Sequence, residues 1–355
     1  MTDSVSKKVI LHAGAYKTAT STVQTILGRN ADHMLSHLGV LYPKSGRRLN
    51  TGSSDPASLA HHPFCHAVRA QQVLPAKGAK LKRALAREVS EAPAQTVVIS
   101  TELITSAPPS EKRALLDLIA DRVEDVSVIY AFRRPDEYLD SMLNQSLKNG
   151  RTDRVRAAGQ RLGRDVHKVP FLQDVRQWHS ILGPERVRVV YFSKQAYPRY
   201  LEKVFGFVGV GLSDPLIDAK VHDNSAVTQV GYLLRKLCFD RLAQLDHTPT
   251  RLDRHHLGIE LDALESRLAT GSHKMIMFGT QDRQRVLDAQ QNDMAQMAAF
   301  LDEEDRDLLK QDMARGVAAD LIADDPDAPV ALSANVLGSI LAGLCQGHLR
   351  QMLQY

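Results

Sequence analysis

The sequence predicts an α/β protein, a parallel sheet flanked by helices, followed by a helical C-terminal region. Three observations lead there. Short apolar runs at 9–11, 96–100, 126–132 and 187–192 alternate with stretches of helical spacing, and strand alternating with helix favours a parallel sheet covered on both faces. The first run turns at once, through a lysine, into a hydroxyl-rich helix start. Beyond about residue 226 no strand-like run remains and apolar residues recur only at helical spacing, as in Leu233, Leu234, Leu237 and again Leu261, Leu264, Leu268.

Val9, Ile10 and Leu11 read as a buried strand ending in His12, and Ala13-Gly14-Ala15-Tyr16-Lys17-Thr18-Ala19-Thr20-Ser21-Thr22 leads into a helix. The first N–H groups of a helix lack intrahelical partners, the helix dipole adds partial positive charge, and Lys17 adds a full one. A phosphate-like anion is the expected occupant. The standard nucleoside-triphosphate loop needs glycine immediately before its lysine; here Tyr16 holds that place.

A single helix is expected from about Thr18 to Leu38, with Val23, Ile26, Leu27, Met34 and Leu35 on one face and Gly39 as terminator. Residues 44–58 read as a loop, and weak helical patterns cover 57–72 and 77–91. A helix at 110–122 leads to the 126–132 strand, which ends in Arg133-Arg134. Pro135-Asp136-Glu137 opens the next helix and Asn149-Gly150 stops it. Phe171, Val175, Trp178 and Leu182 mark another helix before the 187–192 strand, and Tyr200 to Val208 one after it. In the C-terminal part, Asp302-Glu303-Glu304-Asp305 suits a helix start, and a last apolar helix follows Pro329.

With 355 residues the chain can bury a large core. A net charge of +4 is too small to argue for nucleic acid. No apolar run approaches the roughly 20 residues of a membrane helix, and the N-terminal run is too short for a signal peptide. Cys65, Cys238 and Cys345 are few, odd in number and far apart, which suits a reducing cytoplasm. Between Lys148 and Arg176 eight Lys/Arg face three Asp; such a surplus steers an anion or simply solvates a face.

The 17–22 segment resembles the 5′-phosphosulfate loop of sulfotransferases that use 3′-phosphoadenosine-5′-phosphosulfate (PAPS), in which a strand is followed by a lysine and a Thr/Ser-Gly-Thr-[ST] run. Lys17, Thr18, Thr20, Ser21 and Thr22 match, and Ala19 replaces the glycine. Arg133 at a strand end, with Ser141 eight residues later on a helix, is similar to the family's 3′-phosphate site; a guanidinium grips phosphate with two parallel hydrogen bonds. Gly39-Val40-Leu41-Tyr42-Pro43 and Phe205-Gly206-Phe207-Val208-Gly209-Val210 resemble bacterial and carbohydrate-directed members, and Val221-His222-Asp223-Asn224-Ser225 loosely resembles an Asn-x-Ser stretch of several bacterial ones.

The resemblance spans about residues 7–225. It implies a core of the P-loop NTPase-like type at 1–225; residues 226–355, by their helical spacing, are expected to form a helical region that packs on the core, covers the acceptor site or mediates a homo-oligomer. It implies PAPS as cosubstrate without a required metal, and a carbohydrate or other small-molecule acceptor with a hydroxyl or amine. Gly14, Lys17, Thr18, Ala19, Thr20, Ser21, Thr22, Arg133 and Ser141 would hold the cosubstrate, and Lys17 would neutralise charge on the leaving phosphate. Glu102 follows Thr101 at a strand end, where cytosolic members carry a catalytic histidine and others use a glutamate, so it is the first candidate for the base. His12 and His61 are its rivals, and His61 also lies on a segment placed to contact the acceptor.

His61-His62-Pro63-Phe64-Cys65-His66 packs three histidines and a cysteine into six residues, yet a partner set such as CxxC is absent and Pro63 breaks i,i+4 geometry, so no metal site is expected. Neither a GxSxG elbow nor an HExxH pair occurs. A small-molecule kinase is the main alternative, although such enzymes usually hold magnesium with a strand-end aspartate and here Ser100-Thr101-Glu102 stands instead. A non-catalytic nucleotide-binding protein is the other.

Overall fold

The computed structural model describes residues 7–48, 58–70, 75–122, 125–149, 169–219, 227–244, 251–268 and 278–317. Five parallel strands form one sheet: β1 (Lys8–His12), β2 (Val40–Leu41), β3 (Thr96–Ser100), β4 (Val126–Arg133) and β5 (Val187–Phe192), in the order β2-β3-β1-β4-β5. β1 therefore lies at the centre, with β3 on one side and β4 on the other. In open parallel sheets of this kind ligands bind beyond the carboxyl ends of the strands, where the strand order reverses.

The helices are α1 (Thr20–Arg29), α2 (Ala31–Leu38), α3 (His62–Arg69), α4 (Pro75–Glu91), α5 (Pro109–Ile119), α6 (Pro135–Lys148), α7 (Phe171–Leu182), α8 (Tyr197–Val208), α9 (Gln229–Gln244), α10 (Arg251–Leu268), α11 (Thr280–Met297) and α12 (Glu303–Ala314). Two differences from the expected elements have clear causes. The single helix expected over 18–38 is two, because Asn30 turns its side chain on the backbone. Its Nδ2 donates to Ile26 O (2.8 Å) and Asp218 O (3.1 Å), and its Oδ1 accepts from Asp218 N (2.8 Å). β2 is a strand too short to show a period. Gly39, left-handed at φ 63°, accepts at its carbonyl from Gln95 N (2.9 Å) and Thr96 N (3.2 Å), which lays Val40 and Leu41 beside β3.

Alternation along the strands sorts the sheet into two faces. Ile10, Val98, Ile129, Ala131, Val190 and Phe192 pack with Val23, Ile26 and Leu27 of α1 and Tyr200, Leu201, Val204 and Phe205 of α8. On the other face Phe132 meets Phe171 and Tyr191, with ring centroids 5.6 and 5.3 Å apart. That face also buries a polar cluster. Asp174 of α7 accepts from Lys112 Nζ (2.6 Å), Tyr130 Oη (3.0 Å) and Ser106 N (3.0 Å), and Lys112 lies against the Trp178 ring.

The chain divides into two compact units, one of residues 1–134, 168–223 and 290–314, the other of 135–167, 224–289 and 315–355. This differs from a single boundary after residue 225. In the first unit α12 covers the edge strand β5: Asp305 Oδ2 accepts from Tyr191 N (2.9 Å), Asp312 Oδ2 from Tyr191 Oη (3.0 Å), and Lys203 of α8 reaches Asp302 and Asp305 (both 2.7 Å). The acidic start expected at 302–305 thus opens α12 and also closes a sheet edge. In the second unit buried Arg235 of α9 bonds Glu265 (2.8 Å) and Asp262 of α10, and Arg283 bonds Asp136 of α6 (2.6 Å). Most of the basic run between Lys148 and Arg176, the 221–225 segment, Cys345 and the helix expected after Pro329 lie outside the described residues.

Candidate functional site

The loop after β1 is built by turning its carbonyls into the protein. Thr18 Oγ1 donates to Ala15 O (2.7 Å), Thr105 Oγ1 to Gly14 O (3.1 Å), Arg133 Nη1 to Lys17 O (3.0 Å) and Tyr200 Oη to Thr18 O (2.7 Å). Strand β4 extends the grip, its Ile129 and Ala131 carbonyls accepting from Ala13 N (2.9 Å) and Ala15 N (2.8 Å). Lys17 (φ 66°) and Ala19 (φ 57°) are left-handed, and left-handed residues between right-handed ones make successive N–H groups converge. The first helical hydrogen bonds run from Thr22 N and Val23 N to Ala19 O (3.0 and 3.1 Å), so the amides of Ala19, Thr20 and Ser21 precede the helical ladder. This arrangement is suited to an anion. Its geometry also answers the substitution of glycine by Ala19: the position keeps the left-handed backbone for which glycine is usually used.

The hydroxyls divide. Thr18 is fully buried and its hydroxyl closes the loop, Thr20 is buried, and Ser21 and Thr22 are half-buried near the helix start. Lys17 is half-buried. Arg133 is 4% exposed and lies over the Phe192 ring, its guanidinium carbon 5.3 Å from the centroid. Ser141 is half-buried on α6, in the second unit.

Parallel register and alternation bring a second group of side chains to the α1 face. His12 and Ser100 are register partners at the ends of β1 and β3, and His12 Nδ1 lies 2.9 Å from Ser100 Oγ. From α1, Gln24 Nε2 reaches Ser100 Oγ (3.2 Å) and Glu102 Oε2 (2.8 Å). Glu102 opens a 3-10 turn after β3, and its Oε1 lies 3.6 Å from His62 Nε2, while His62 Nδ1 lies 3.0 Å from Thr101 Oγ1. Cys65 Sγ also meets Thr101 Oγ1 (3.4 Å), and burial pushes the thiol up to about 11. Burial pushes the Tyr16 phenol up to about 12; Arg69 works against that shift and Glu102, Cys65 and Asp174 add to it.

His61 is corrected by this geometry. It is fully buried, its Nδ1 accepts from Ser100 N (3.2 Å), and its Nε2 therefore carries the proton given to Pro43 O (3.0 Å). Burial pulls its pKa down to about 3, and its ring stands edge-on to Tyr42. With both nitrogens occupied it braces the β3 end, and it is the neighbouring His62 that reaches Glu102. Pro63 occupies the first turn of α3, where proline is well tolerated, so the His/Cys segment is a helix start. Among the described residues no group of three or more His, Cys, Asp or Glu is placed to hold a metal ion.

The sequence pattern does not single out Gln24, Ser100 and His62 as neighbours of Glu102 and His12. The signal for Gln24 was a polar residue on the apolar face of the first helix, and that for Ser100 a hydroxyl closing a buried strand. A cleft of about 450 Å³ lined by Arg113, Arg176 and Gln177 among others contains none of the loop residues.

No protein-family model matches the chain, and no curated protein is significantly similar to it. Among solved structures, the sulfotransferase domain from the Synechococcus PCC 7002 olefin synthase aligns at 13% identity over 61% of this chain and 78% of that one, with a TM-score of 0.33. A likeness that remote decides nothing about activity. Among the described residues no helix is long and apolar enough to cross a membrane.

Proposed function

We propose that the chain is a sulfotransferase that moves a sulfuryl group from PAPS to a hydroxyl of a carbohydrate or other small molecule. The observation that carries this reading is the cradle at the end of β1, whose carbonyls are pinned away from its amides, with a carboxylate, Glu102, held nearby at the end of β3. Group transfer of this kind needs positioning and charge stabilisation above all. The Ala19–Ser21 amides and Lys17 would hold and neutralise the 5′-phosphate that leaves, Arg133 would bind the 3′-phosphate, and Glu102 would accept the acceptor's proton. The residues favour PAPS over ATP with magnesium, since the hydroxyl that follows the loop lysine is turned into the loop and the β3 end carries no aspartate. Cys65 and Cys238 are free thiols, in keeping with work in a reducing cytoplasm.

Thermal melting tests the reading. Adenosine 3′,5′-bisphosphate without magnesium should raise Tm, because a ligand that binds only the folded chain stabilises it by mass action. ATP with magnesium should raise it much less. The reverse order would replace the sulfotransferase by a kinase.

A further inference from the structure

His12 is 1% exposed, and its Nε2 has no hydrogen-bond partner among the described residues. Buried polar atoms are rarely left without one, and an orphan at a candidate site points to a ligand. The atom faces the anion loop: a Cβ built on Gly14 would lie 3.4 Å from His12 Nε2 and 3.3 Å from Thr18 Oγ1. Glycine at 14 keeps that approach open.

The direction of the hydrogen bonds can be followed from Glu102. A carboxylate only accepts, so the Gln24 group 2.8 Å from Glu102 Oε2 is the NH2, even though this leaves Gln24 Oε1 buried without a partner. The same NH2 donates to Ser100 Oγ, which is then free to give its own proton to His12 Nδ1. With Nδ1 accepting, a neutral imidazole carries its proton on Nε2. Burial draws the imidazole pKa down to about 4, which keeps the ring neutral near pH 7.

We infer that His12 is a neutral hydrogen-bond donor, Nε2–H, to an oxygen of the oxyanion held in the 13–22 loop, with its tautomer set by the relay Gln24–Ser100. His12 then stabilises charge on the transferring or leaving group and does not accept the acceptor's proton. Gln24 is a positioning residue that ties this donor to Glu102. The identity of the oxyanion as part of PAPS rests on the sulfotransferase reading; the donor role does not.

The test is nitrogen NMR on protein with 15N-labelled histidine, the His12 signals being assigned by loss in His12→Gln. Nδ1 should show the shift of an unprotonated nitrogen and Nε2 that of a protonated one, unchanged from pH 6 to 8. Saturating inorganic phosphate or adenosine 3′,5′-bisphosphate, with binding followed by calorimetry, should move the Nε2–H signal downfield. Ser100→Ala should leave the ring neutral but mix its tautomers. The opposite tautomer in the unaltered protein, or an Nε2–H signal that stays still under bound phosphate or bisphosphate, overturns the inference. If phosphate moves the signal and the bisphosphate does not bind, the donor role stands and the PAPS reading falls. If the bisphosphate binds without moving it, the PAPS reading stands and the donor role falls. Binding of neither probe overturns both.

Discussion

Arg133 Nη1 donates to the main-chain carbonyl of Lys17 at 3.0 Å. The arginine expected to bind phosphate is therefore also part of the loop that presents the lysine. Arg133→Ala removes both functions. Affinity for adenosine 3′,5′-bisphosphate should fall by roughly 2–4 kcal/mol, the scale for losing one partner of a buried charged contact. Stability should fall by about 1 kcal/mol for the lost loop hydrogen bond. Calorimetry and denaturant melts separate the two. A stability loss with unchanged affinity would reduce Arg133 to a brace of the loop.

Ala19 sits at φ 57°, ψ 24°, just before α1. The left-handed region costs a non-glycine residue roughly 1–2 kcal/mol. Ala19→Gly relieves that strain but makes the unfolded chain more flexible, a penalty of about 0.4–1 kcal/mol. The net effect on stability should be neutral to slightly favourable. Ala19→Val, β-branched at a left-handed position, should destabilise clearly and weaken anion binding as well. A valine variant that melts like the original chain would show that the loop relaxes out of this conformation.

Asp174 accepts from Lys112, Tyr130 and the Ser106 amide, all inside the first unit. Removing it leaves the buried Lys112 ammonium with Gln177 Oε1 but without a counter-charge; burial already pulls its pKa down, with Asp174 opposing that pull. Asp174→Ala should cost about 3–5 kcal/mol, the scale for breaking a buried ion pair from one side. Because Ser106 follows Thr105, which holds Gly14 O, the loop should loosen too. Denaturant unfolding checks the first effect; a loss below 1 kcal/mol would mean that water repairs the site.

The main strands and the loop were legible because apolar runs of three to seven residues and a lysine before hydroxyls are local signals. The break at Asn30 was not, since it depends on Asp218, far along the chain. The choice between His61 and His62 was equally hidden. Adjacent histidines differ only in which one the β3 end claims, and Ser100 N and Pro43 O claim His61. The return of α12 to the first unit is a long-range effect as well, carried by Asp305 and Asp312 on Tyr191.

Two buried histidines make stability depend on pH. Burial draws the pKa of His12 to about 4 and of His61 to about 3, while an unfolded histidine titrates near 6.5. Below about pH 6.5 the unfolded chain binds protons that the folded chain refuses. Stability should thus be full above that pH and fall as pH drops toward about 4, by on the order of 1.4 kcal/mol per pH unit for each histidine. Tm measured from pH 7.5 to 4.5 should decline, and His12→Gln should flatten the slope. An equal slope in that variant would mean that His12 titrates alike in both states.

Glu102 holds its carboxylate between Gln24 Nε2 and His62 Nε2, and its side chain is 14% exposed. A neutral hydroxyl is a poor nucleophile, so a group must take its proton near the transition state. His61 lacks a free nitrogen, and His12 would carry its proton on the side facing the loop, which leaves Glu102 and His62 for the role. Glu102→Gln keeps shape and removes basicity. With a known acceptor it should lower turnover by about 10²-fold or more while affinity for adenosine 3′,5′-bisphosphate stays nearly intact. His62→Gln should cost less, since it only removes a neighbour of the carboxylate. Near-normal turnover in Glu102→Gln together with a large loss in His62→Gln would assign the proton to His62, with Glu102 left to orient its ring.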